Sequence, residues 1–286
     1  MAIIIDGKHV SLKTRENIKA EVEFLKTTRG ITPGLAVILV GDDPASCVYV
    51  RNKHRGCLEV GISSFEIKLP ESTTEGELLD KIAELNNRED VHGILVQLPL
   101  PRHINEDAII NAIDPRKDVD AFHPVNVGKI VTGKYSFLPC TPSGIMTLLD
   151  YYNIDLCGKS CVVVGRSNIV GKPMSMLLLE KNGTVTVCHS RTKRLNDITR
   201  QADVLVVAIG KPEFIKGDDI KEGAVVVDVG INRLDNGKLV GDVEFDSCSA
   251  KASYITPVPG GVGPMTITTL LKNTVKAAQD ITEGKI

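Results

Sequence analysis

A helix predicted to begin at Ser46 carries the side chains best suited to acid–base chemistry. Ser46, Tyr49 and Lys53 are spaced by three and four residues in SCVYVRNKHRGC, so they share one helical face with Cys57. Ser46 is also expected to be the N-cap. A lysine beside an aromatic ring and a thiol, with no carboxylate, is a candidate general acid or base. The alternative, which the segment alone favours, is a surface helix whose Lys53 extends into water.

A glycine-rich turn follows an apolar strand in CVVVGRSNIVGKPMSMLLL. Glycines let the backbone approach a phosphate, and a helix N-terminus directs N–H groups toward it. The P-loop pattern fails because five residues separate Gly165 from Gly171 and a proline follows Lys172. The strict dinucleotide pattern also fails, because Ser167 replaces its second glycine. A variant Rossmann turn remains, and the alternative is a structural turn that binds no ligand.

The residues after the next predicted strand indicate which dinucleotide this turn would hold. An NAD-binding unit usually has Asp or Glu about 20 residues on, where it bonds the ribose 2′-hydroxyl. Here residues 188–192 read CHSRT, without a carboxylate. Ser190, Arg191 and Arg166 would instead favour a 2′-phosphate. We therefore expect NADP as the cofactor, with NAD as the less favoured alternative.

Three further segments carry candidate ligand contacts. Gln97 ends an apolar strand in VQLPLP, at the carboxyl edge where parallel sheets bind ligands. Asp118 and Asp120 lie in KDVDAFHP, where an aspartate near proline also fits ordinary turn chemistry. The loop PVPGGVGPMT, at residues 257–266, is either a tight turn or a second wall of a cofactor cleft. No histidine or cysteine spacing matches a zinc site, so no metal is expected.

Short apolar runs alternate with helical patterns along the chain, which predicts βαβ units and parallel sheets of an α/β protein. In the first block we expect strands at 2–6, 35–40, 62–69 and 92–97, and helices at 11–28, from 46, and at 74–88. In the second block we expect strands at 160–165, 184–189, 203–209 and 224–229, and helices at 143–152, 173–181, 195–201 and about 266–280. A polar segment, 114–123, separates the blocks and gives two domains, 1–119 and 120–286.

Composition narrows the class of protein further. The chain has 286 residues, 42% hydrophobic and 24% charged, with a formal net charge of −2. This mixture excludes a disordered chain and gives no net positive field for nucleic acid or anionic lipid. No apolar run approaches the roughly 18 residues of a membrane span, and the first residues lack signal-peptide features. Seven cysteines, an odd number, are typical of reduced thiols. We expect a cytoplasmic protein with no nucleic-acid or membrane partner.

Taken together, these motifs resemble the bifunctional methylenetetrahydrofolate dehydrogenase/methenyltetrahydrofolate cyclohydrolase (FolD-type) family. The resemblance covers essentially the whole chain, through SxxYxxxK at 46–53, VQLPLP, KDVDAFHP, PCTPSG at 139–144, GRSNIVGKP, VDVGIN at 227–232 and PVPGGVGPMT. Ala121 is a departure, since the family more often has glycine there. One methyl added beside the folate cleft would affect substrate affinity more than the type of reaction.

The resemblance implies a role for each candidate residue. Lys53 would be the catalytic acid or base, held by Gln97, with Tyr49 stacked on the pterin and Asp120 bonded to its amino edge. The residues expected to contact the folate substrate are Ser46, Tyr49, Lys53, Gln97, Asp120, Pro257, Gly260 and Gly261. The residues expected to contact NADP are Gly165, Arg166, Ser167, Ser190, Arg191 and Ile231.

The resemblance also implies the fold and the activity. An N-terminal parallel βαβ folate-site domain would precede a Rossmann-like NADP-binding domain, and the closing helix, at about 266–281, would return to the first domain of a homodimer. The enzyme would oxidise 5,10-methylenetetrahydrofolate with NADP⁺ and hydrolyse the methenyl product to 10-formyltetrahydrofolate, in support of purine, methionine and histidine biosynthesis.

Three alternatives remain open. The chain could be a relative with only one of the two activities, a non-catalytic NADP-binding protein, or a shikimate-dehydrogenase-like oxidoreductase. The combination of Lys53, Gln97 and Asp120 argues against the non-catalytic alternative, because a protein that only binds NADP would not need all three.

Overall fold

The computed structural model describes residues 1–285, in which helices and strands alternate. The α-helices are α1 (Gly7–Arg29), α2 (Pro44–Val60), α3 (Glu75–Asn87), α4 (Glu106–Ala112), α5 (Pro124–Val131), α6 (Cys140–Tyr151), α7 (Gly171–Glu180), α8 (Leu195–Thr199), α9 (Phe245–Lys251) and α10 (Val262–Thr282). The strands are β1 (Ile3–Ile4), β2 (Gly34–Val40), β3 (Ser63–Leu69), β4 (Gly93–Val96), β5 (Ser160–Val164), β6 (Thr184–Cys188), β7 (Val204–Val207), β8 (Val225–Asp228), β9 (Asn232–Arg233), β10 (Leu239–Val240) and β11 (Tyr254–Ile255). Among the helices of residues 1–285, none is both long and apolar enough to cross a membrane.

Backbone contacts divide the chain into two compact units, each built from two segments. The three-stranded unit contains Lys13–Leu138 and the chain from Ile267 onward, and the six-stranded unit contains Met1–Leu12 and Pro139–Thr266. This division differs from the predicted boundary between residues 119 and 120. Residues 1–12 group with the second block because β1 pairs with β11. Residues 120–138 group with the first block, where Asn273 Nδ2 of α10 donates to the Leu138 carbonyl at 2.9 Å.

The three-stranded unit has a parallel sheet in the order β3-β2-β4. The central strand β2 is buried along its whole length, as expected for a parallel strand covered on both faces. Ile38 of β2 packs in one core with Leu78 and Ile82 of α3. The helix α3 begins with a capping box in which Thr74 and Glu77 bond each other's backbone N–H groups. The strands predicted at 35–40, 62–69 and 92–97 form this sheet, which brings the carboxyl ends of β2 and β4 together.

The six-stranded unit has a sheet in the order β1-β11-β8-β7-β5-β6, in which every pair is parallel. Its central strands are runs of valine that pack in a buried core, the pattern of a Rossmann-like sheet. The prediction that residues 2–6 belong to the first block was wrong. A two-residue strand such as β1 has no hydrophobic pattern long enough to indicate which sheet it joins.

Several element boundaries also differ from the prediction. The first helix begins at Gly7 and not at Ser11, and the Asp6 carboxylate accepts a hydrogen bond from His9 N at 3.0 Å. The last helix begins at Val262, four residues before the predicted start. The sequence did not predict α4, α5, α9 or the strands β9 to β11. These elements are two to eight residues long, too short for a hydrophobic period to be visible.

Candidate active site

The helix α2 carries Lys53 on its buried face. Asp43 precedes the helix, and its carboxylate accepts a hydrogen bond from Ser46 N at 2.8 Å. Pro44 occupies the first turn, where a missing N–H has no cost. Asp43 is therefore the N-cap, and the prediction that Ser46 has this role was wrong. Ser46 instead lies buried in the first turn, on the same side of the helix as Lys53.

Lys53 is paired with Gln97, as expected. Only 8% of Lys53 is exposed, and its Nζ donates a hydrogen bond to Gln97 Oε1 at 2.9 Å. Gln97 directly follows β4, and its backbone N donates to the Ile38 carbonyl at 2.8 Å. Its Nε2 donates to the Leu98 carbonyl at 2.7 Å, which orients the amide so that the oxygen faces the lysine. The amide thus fixes the position of the lysine at the carboxyl edge of the sheet.

The other two residues of the predicted face differ in their exposure. Tyr49 is 39% exposed, and the partial burial of its side chain raises the pKa of the phenol. Its ring is available to a planar ligand. Cys57 is fully buried, and burial raises the pKa of its thiol to about 12. A thiol with this pKa remains protonated at neutral pH, so Cys57 packs beside the site and does not act as a nucleophile.

The loop between α4 and α5 contains Asp118 and Asp120 and is organised by Asp118. This carboxylate is buried and accepts hydrogen bonds from Phe122 N at 3.2 Å, His123 N at 2.8 Å and Asn126 Nδ2 at 2.8 Å. Burial raises the pKa of Asp118. Asp120 is half-exposed, so its carboxylate is the one available to a ligand. Asp118 is a loop anchor, as the turn interpretation of this segment predicted.

Ala121 lies in this loop with a φ of +57°. This is the left-handed region, which glycine adopts at lower cost than alanine. The glycine that the resemblance leads us to expect here would therefore suit the backbone better than alanine. Ala121 is completely buried, so its methyl is not exposed at the surface.

The glycine-rich turn joins β5 to α7 in a conformation that requires its glycines. Gly165 has a φ of +136°, and a Cβ there would approach the Ala208 carbonyl oxygen to 2.3 Å. A Cβ at Gly171 would approach the Gly165 carbonyl oxygen to 2.2 Å. The Ser167 hydroxyl accepts hydrogen bonds from Val170 N at 3.2 Å and Gly171 N at 3.3 Å, which holds the turn against the start of α7. The result is a compact cradle that suits a pyrophosphate at a helix N-terminus.

The remaining predicted cofactor residues follow other strands of the same sheet. Ser190 and Arg191 are exposed after β6, which pairs with β5, and Arg191 N donates to His189 Nδ1 at 3.1 Å. Ile231 follows β8 and is 48% exposed. Carboxyl ends of parallel strands meet at one sheet edge, where doubly wound proteins bind their ligands. The sheet thus presents the Gly165 turn, the Arg191 turn and the Ile231 side chain at one edge. This combination fits a phosphorylated dinucleotide.

The glycine-rich loop before α10 lies in the six-stranded unit. Gly261 N donates to the Pro257 carbonyl at 2.8 Å, and Gly260 has a φ of +111°. The loop therefore forms a tight turn, which is one of the two interpretations that the sequence allowed. Of the residues predicted to contact folate, Ser46, Tyr49, Lys53, Gln97 and Asp120 are in the three-stranded unit, and Pro257, Gly260 and Gly261 are in the six-stranded unit.

Two buried carboxylates were not predicted from the sequence, Asp228 at the end of β8 and Asp242 after β10. Burial raises the pKa of Asp228 to about 7, and the charge of Asp242 also raises it. The signal in the sequence is a glycine near each aspartate. A Cβ at Gly241 would lie 1.8 Å from Asp228 Oδ2, and a Cβ at Gly230 would lie 2.3 Å from Asp242 Oδ1. In residues 1–285 no cluster of three or more histidine, cysteine or acidic side chains could hold a metal ion.

Family models of known proteins match segments of both units. Residues 5–120 match the family model of the tetrahydrofolate dehydrogenase/cyclohydrolase catalytic domain, and residues 139–282 match that of its NAD(P)-binding domain. The chain is 64% identical over 278 residues to the bifunctional protein FolD of Acetivibrio thermocellus, with 97% of each chain covered.

Two solved structures are also similar to this chain. One is the bifunctional enzyme FolD from Campylobacter jejuni, with 55% identity, a TM-score of 0.96 and coverage of 98% of this chain and 100% of that one. The other is FolD from Trypanosoma brucei, complexed with NADP cofactor and inhibitor, with 40% identity, a TM-score of 0.95 and 98% of each chain covered. The predicted two-domain α/β class is confirmed, and the chain belongs to the tetrahydrofolate dehydrogenase/cyclohydrolase family.

Proposed function

We propose that Lys53 and Gln97 are the catalytic centre of a bifunctional enzyme of one-carbon metabolism. The enzyme oxidises 5,10-methylenetetrahydrofolate to the 5,10-methenyl cation with NADP⁺, and it hydrolyses this cation to 10-formyltetrahydrofolate. The observation that carries the assignment is the partly buried hydrogen bond from Lys53 Nζ to Gln97 Oε1 at 2.9 Å. This bond holds a basic nitrogen in a fixed position at the carboxyl edge of a parallel sheet, where such folds bind their substrates.

The folate contacts proposed around this centre have distinct tasks. Tyr49, whose ring is partly exposed, stacks on the pterin, and the half-exposed Asp120 carboxylate accepts hydrogen bonds from its amino edge. Asp118 keeps Asp120 in place through the loop. The further residues proposed to contact the substrate are Ser46, Pro257, Gly260 and Gly261.

The proposed cofactor contacts lie in the six-stranded unit. The turn of Gly165 and Ser167 holds the pyrophosphate, Arg166, Ser190 and Arg191 bind the 2′-phosphate, and Ile231 packs on the cofactor. When it is bound, NADP⁺ supplies the acceptor for the hydride that leaves the one-carbon bridge. The protein binds and orients both partners, and this step requires no proton transfer to a side chain.

The hydrolytic step, in contrast, requires a base. Water oxygen forms a bond to the methenyl carbon, and one water proton passes to Lys53 Nζ, which acts as the base. The carbon–N5 bond then breaks, N5 takes the proton from Lys53, and the remaining hydroxyl proton leaves to solvent as the formyl group forms on N10. Gln97 keeps the nitrogen in position for both transfers through its side-chain oxygen. Atoms and charge balance, because the cation and water give the neutral formyl product and one proton.

A coupled spectroscopic assay tests this function. The purified protein receives methylenetetrahydrofolate with NADP⁺ or NAD⁺, and the reduced cofactor and the methenyl product are followed separately. Reduced cofactor without accumulation of the methenyl compound supports both activities. Accumulation would leave a dehydrogenase only, and no reduction by a folded protein would overturn the dehydrogenase assignment. A direct supply of methenyltetrahydrofolate then measures hydrolysis alone.

We further propose that the enzyme acts in the cytoplasm as a homodimer. The strand β6 lies at the edge of the six-stranded sheet, and Val187 of this strand is 39% exposed. An unpaired edge with an apolar side chain is a ready site for a second chain. Light scattering after size-exclusion chromatography should give twice the 30.9 kDa chain mass, and Val187→Lys should reduce this mass to that of one chain. A monomer in the native protein would contradict the proposal.

A further inference from the structure

We propose that Asp242 is a positioning residue for the cofactor, because its buried carboxylate joins the two loops that follow β7 and β8. The inference rests on the proposed cofactor contacts of the Gly165 turn and of Ile231. Asp242 itself does not contact the cofactor in this proposal. It acts through the backbone of the residues that do.

The first loop is bound through three consecutive N–H groups. Asp242 is completely buried, and its Oδ2 accepts hydrogen bonds from Ile209 N at 2.7 Å and Gly210 N at 3.0 Å. Its Oδ1 accepts one from Lys211 N at 2.8 Å. This loop begins at Ala208, whose carbonyl oxygen lies so close to Gly165 that a Cβ at Gly165 would be 2.3 Å away. Asp242 therefore fixes the wall against which the cradle packs.

The second loop is bound on both sides of Ile231. On one side, Asn232 Nδ2 donates to Asp242 Oδ1 at 2.9 Å. On the other side, Gly230 N donates to Asp228 Oδ1 at 2.9 Å. Asp228 also accepts hydrogen bonds from Asp242 N and Val243 N, each at 2.9 Å. The pair of carboxylates thus holds the backbone that presents the half-exposed Ile231 side chain.

The chemistry of the site requires a carboxylate at position 242. Two oxygens receive four N–H donors, and an asparagine offers only one oxygen, with an NH₂ group in place of the other. Two of the four donors would then face another donor in a buried position, which is costly. Gly230 is part of the same arrangement, since the Asp242 carboxylate occupies the space that a side chain at position 230 would need.

The inference predicts that the two activities respond differently to Asp242→Asn. The control is Asp235→Asn, which removes the same charge at an exposed position between β9 and β10. We expect Asp242→Asn to raise the Kd of NADP⁺ in calorimetry, and its KM, roughly tenfold or more. Hydrolysis of methenyltetrahydrofolate without cofactor should stay within about twofold of the native rate, because Lys53 and Gln97 belong to the other unit. Asp235→Asn should change neither quantity.

Two outcomes for Asp242→Asn overturn the inference. One is an unchanged Kd of NADP⁺ in a folded Asp242→Asn protein. The other is an equal loss of both activities together with a lowered Tm, which indicates a general structural role.

If Asp242→Asn does not fold, Asn232→Ala decides the question, because it keeps the carboxylate and frees only the Ile231 loop. That variant should raise the KM for NADP⁺ roughly threefold with hydrolysis retained, and no change would contradict the inference. A native protein that binds no NADP⁺ overturns the proposed function as well.

Discussion

Lys53 and Gln97 are 44 positions apart in the chain, yet Lys53 Nζ donates a hydrogen bond of 2.9 Å to the Gln97 side-chain oxygen. The contact forms because β4 pairs in parallel with β2, which leads into α2. Both residues therefore follow the carboxyl end of a strand in one sheet. A lysine held in this way has a fixed proton donor and acceptor position, which the hydrolytic step needs and the hydride step does not.

The first prediction concerns the separation of the two activities by Lys53→Gln. We expect hydrolysis of methenyltetrahydrofolate to fall by about 10²–10⁴, the usual contribution of a general base, and the dehydrogenase rate to fall much less. Single-turnover measurements of each step check this. The control is Lys19→Gln, at an exposed position of α1. Equal losses in both steps would show that Lys53 only positions the substrate.

Cofactor preference gives the second prediction. Ser190→Asp places a carboxylate where NAD-binding units have one. In the proposed contacts this carboxylate would lie beside the 2′-phosphate of NADP⁺. Because like charges repel, we expect the ratio of kcat/KM for NADP⁺ over NAD⁺ to fall by at least about tenfold. Ser190→Ala removes the hydroxyl without a charge and should give a smaller change. An unchanged ratio in Ser190→Asp would place the 2′-phosphate elsewhere.

Much of this site was predictable because it depends on the ends of strands with strong patterns. The apolar runs before Gln97 and Gly165 marked buried parallel strands, and the carboxyl ends of such strands form one edge. The sequence alone left the role of Lys53 open, because the partner 44 positions away is visible only when the register of the sheet is known. The resemblance to a family supplied that pairing before the structure did.

Other features could not be predicted because they depend on tertiary contacts. The strand β1 is too short to indicate its sheet, and its pairing with β11 is set by contacts at the far end of the chain. Asp228 and Asp242 have only a nearby glycine as a signal in the sequence, and their burial is what shows that they are anchors. The left-handed backbone of Ala121 is likewise invisible in the residue type, since alanine rarely adopts it.

The third prediction is that Ala121→Gly is nearly neutral. Glycine removes the cost of a left-handed alanine, about 1–2 kcal/mol, but it loses a buried methyl and adds backbone freedom, which together cost a similar amount. The free energy of unfolding should therefore change by less than about 1 kcal/mol. Ala36→Gly, at an equally buried alanine in the regular strand β2, should destabilise more. Urea titration measures both, and equal losses would contradict the backbone explanation.

Asp228 gives the fourth prediction, on the pH dependence of stability. Its pKa is about 7 in the folded protein, against an ordinary value of 3.8. Between these two pH values the folded state binds more protons than the unfolded chain, so the free energy of unfolding falls as pH rises from about 4 to about 7. The two pKa values correspond to a change of at most about 4 kcal/mol. The neutral form is favoured by burial, although three backbone N–H groups partly offset this effect.

Asp228→Asn removes this titrating group and should remove its part of the pH dependence. Urea unfolding of both proteins from pH 5 to pH 8 measures the difference between their free energies of unfolding. We expect the native protein to lose stability relative to Asp228→Asn as pH rises through this range, because only the native protein must ionise a buried carboxyl. Parallel curves would mean that Asp228 is already ionised at pH 5, held so by its three N–H donors. In that case the Asp228 carboxylate would hold its three N–H donors as a charged group throughout the physiological range.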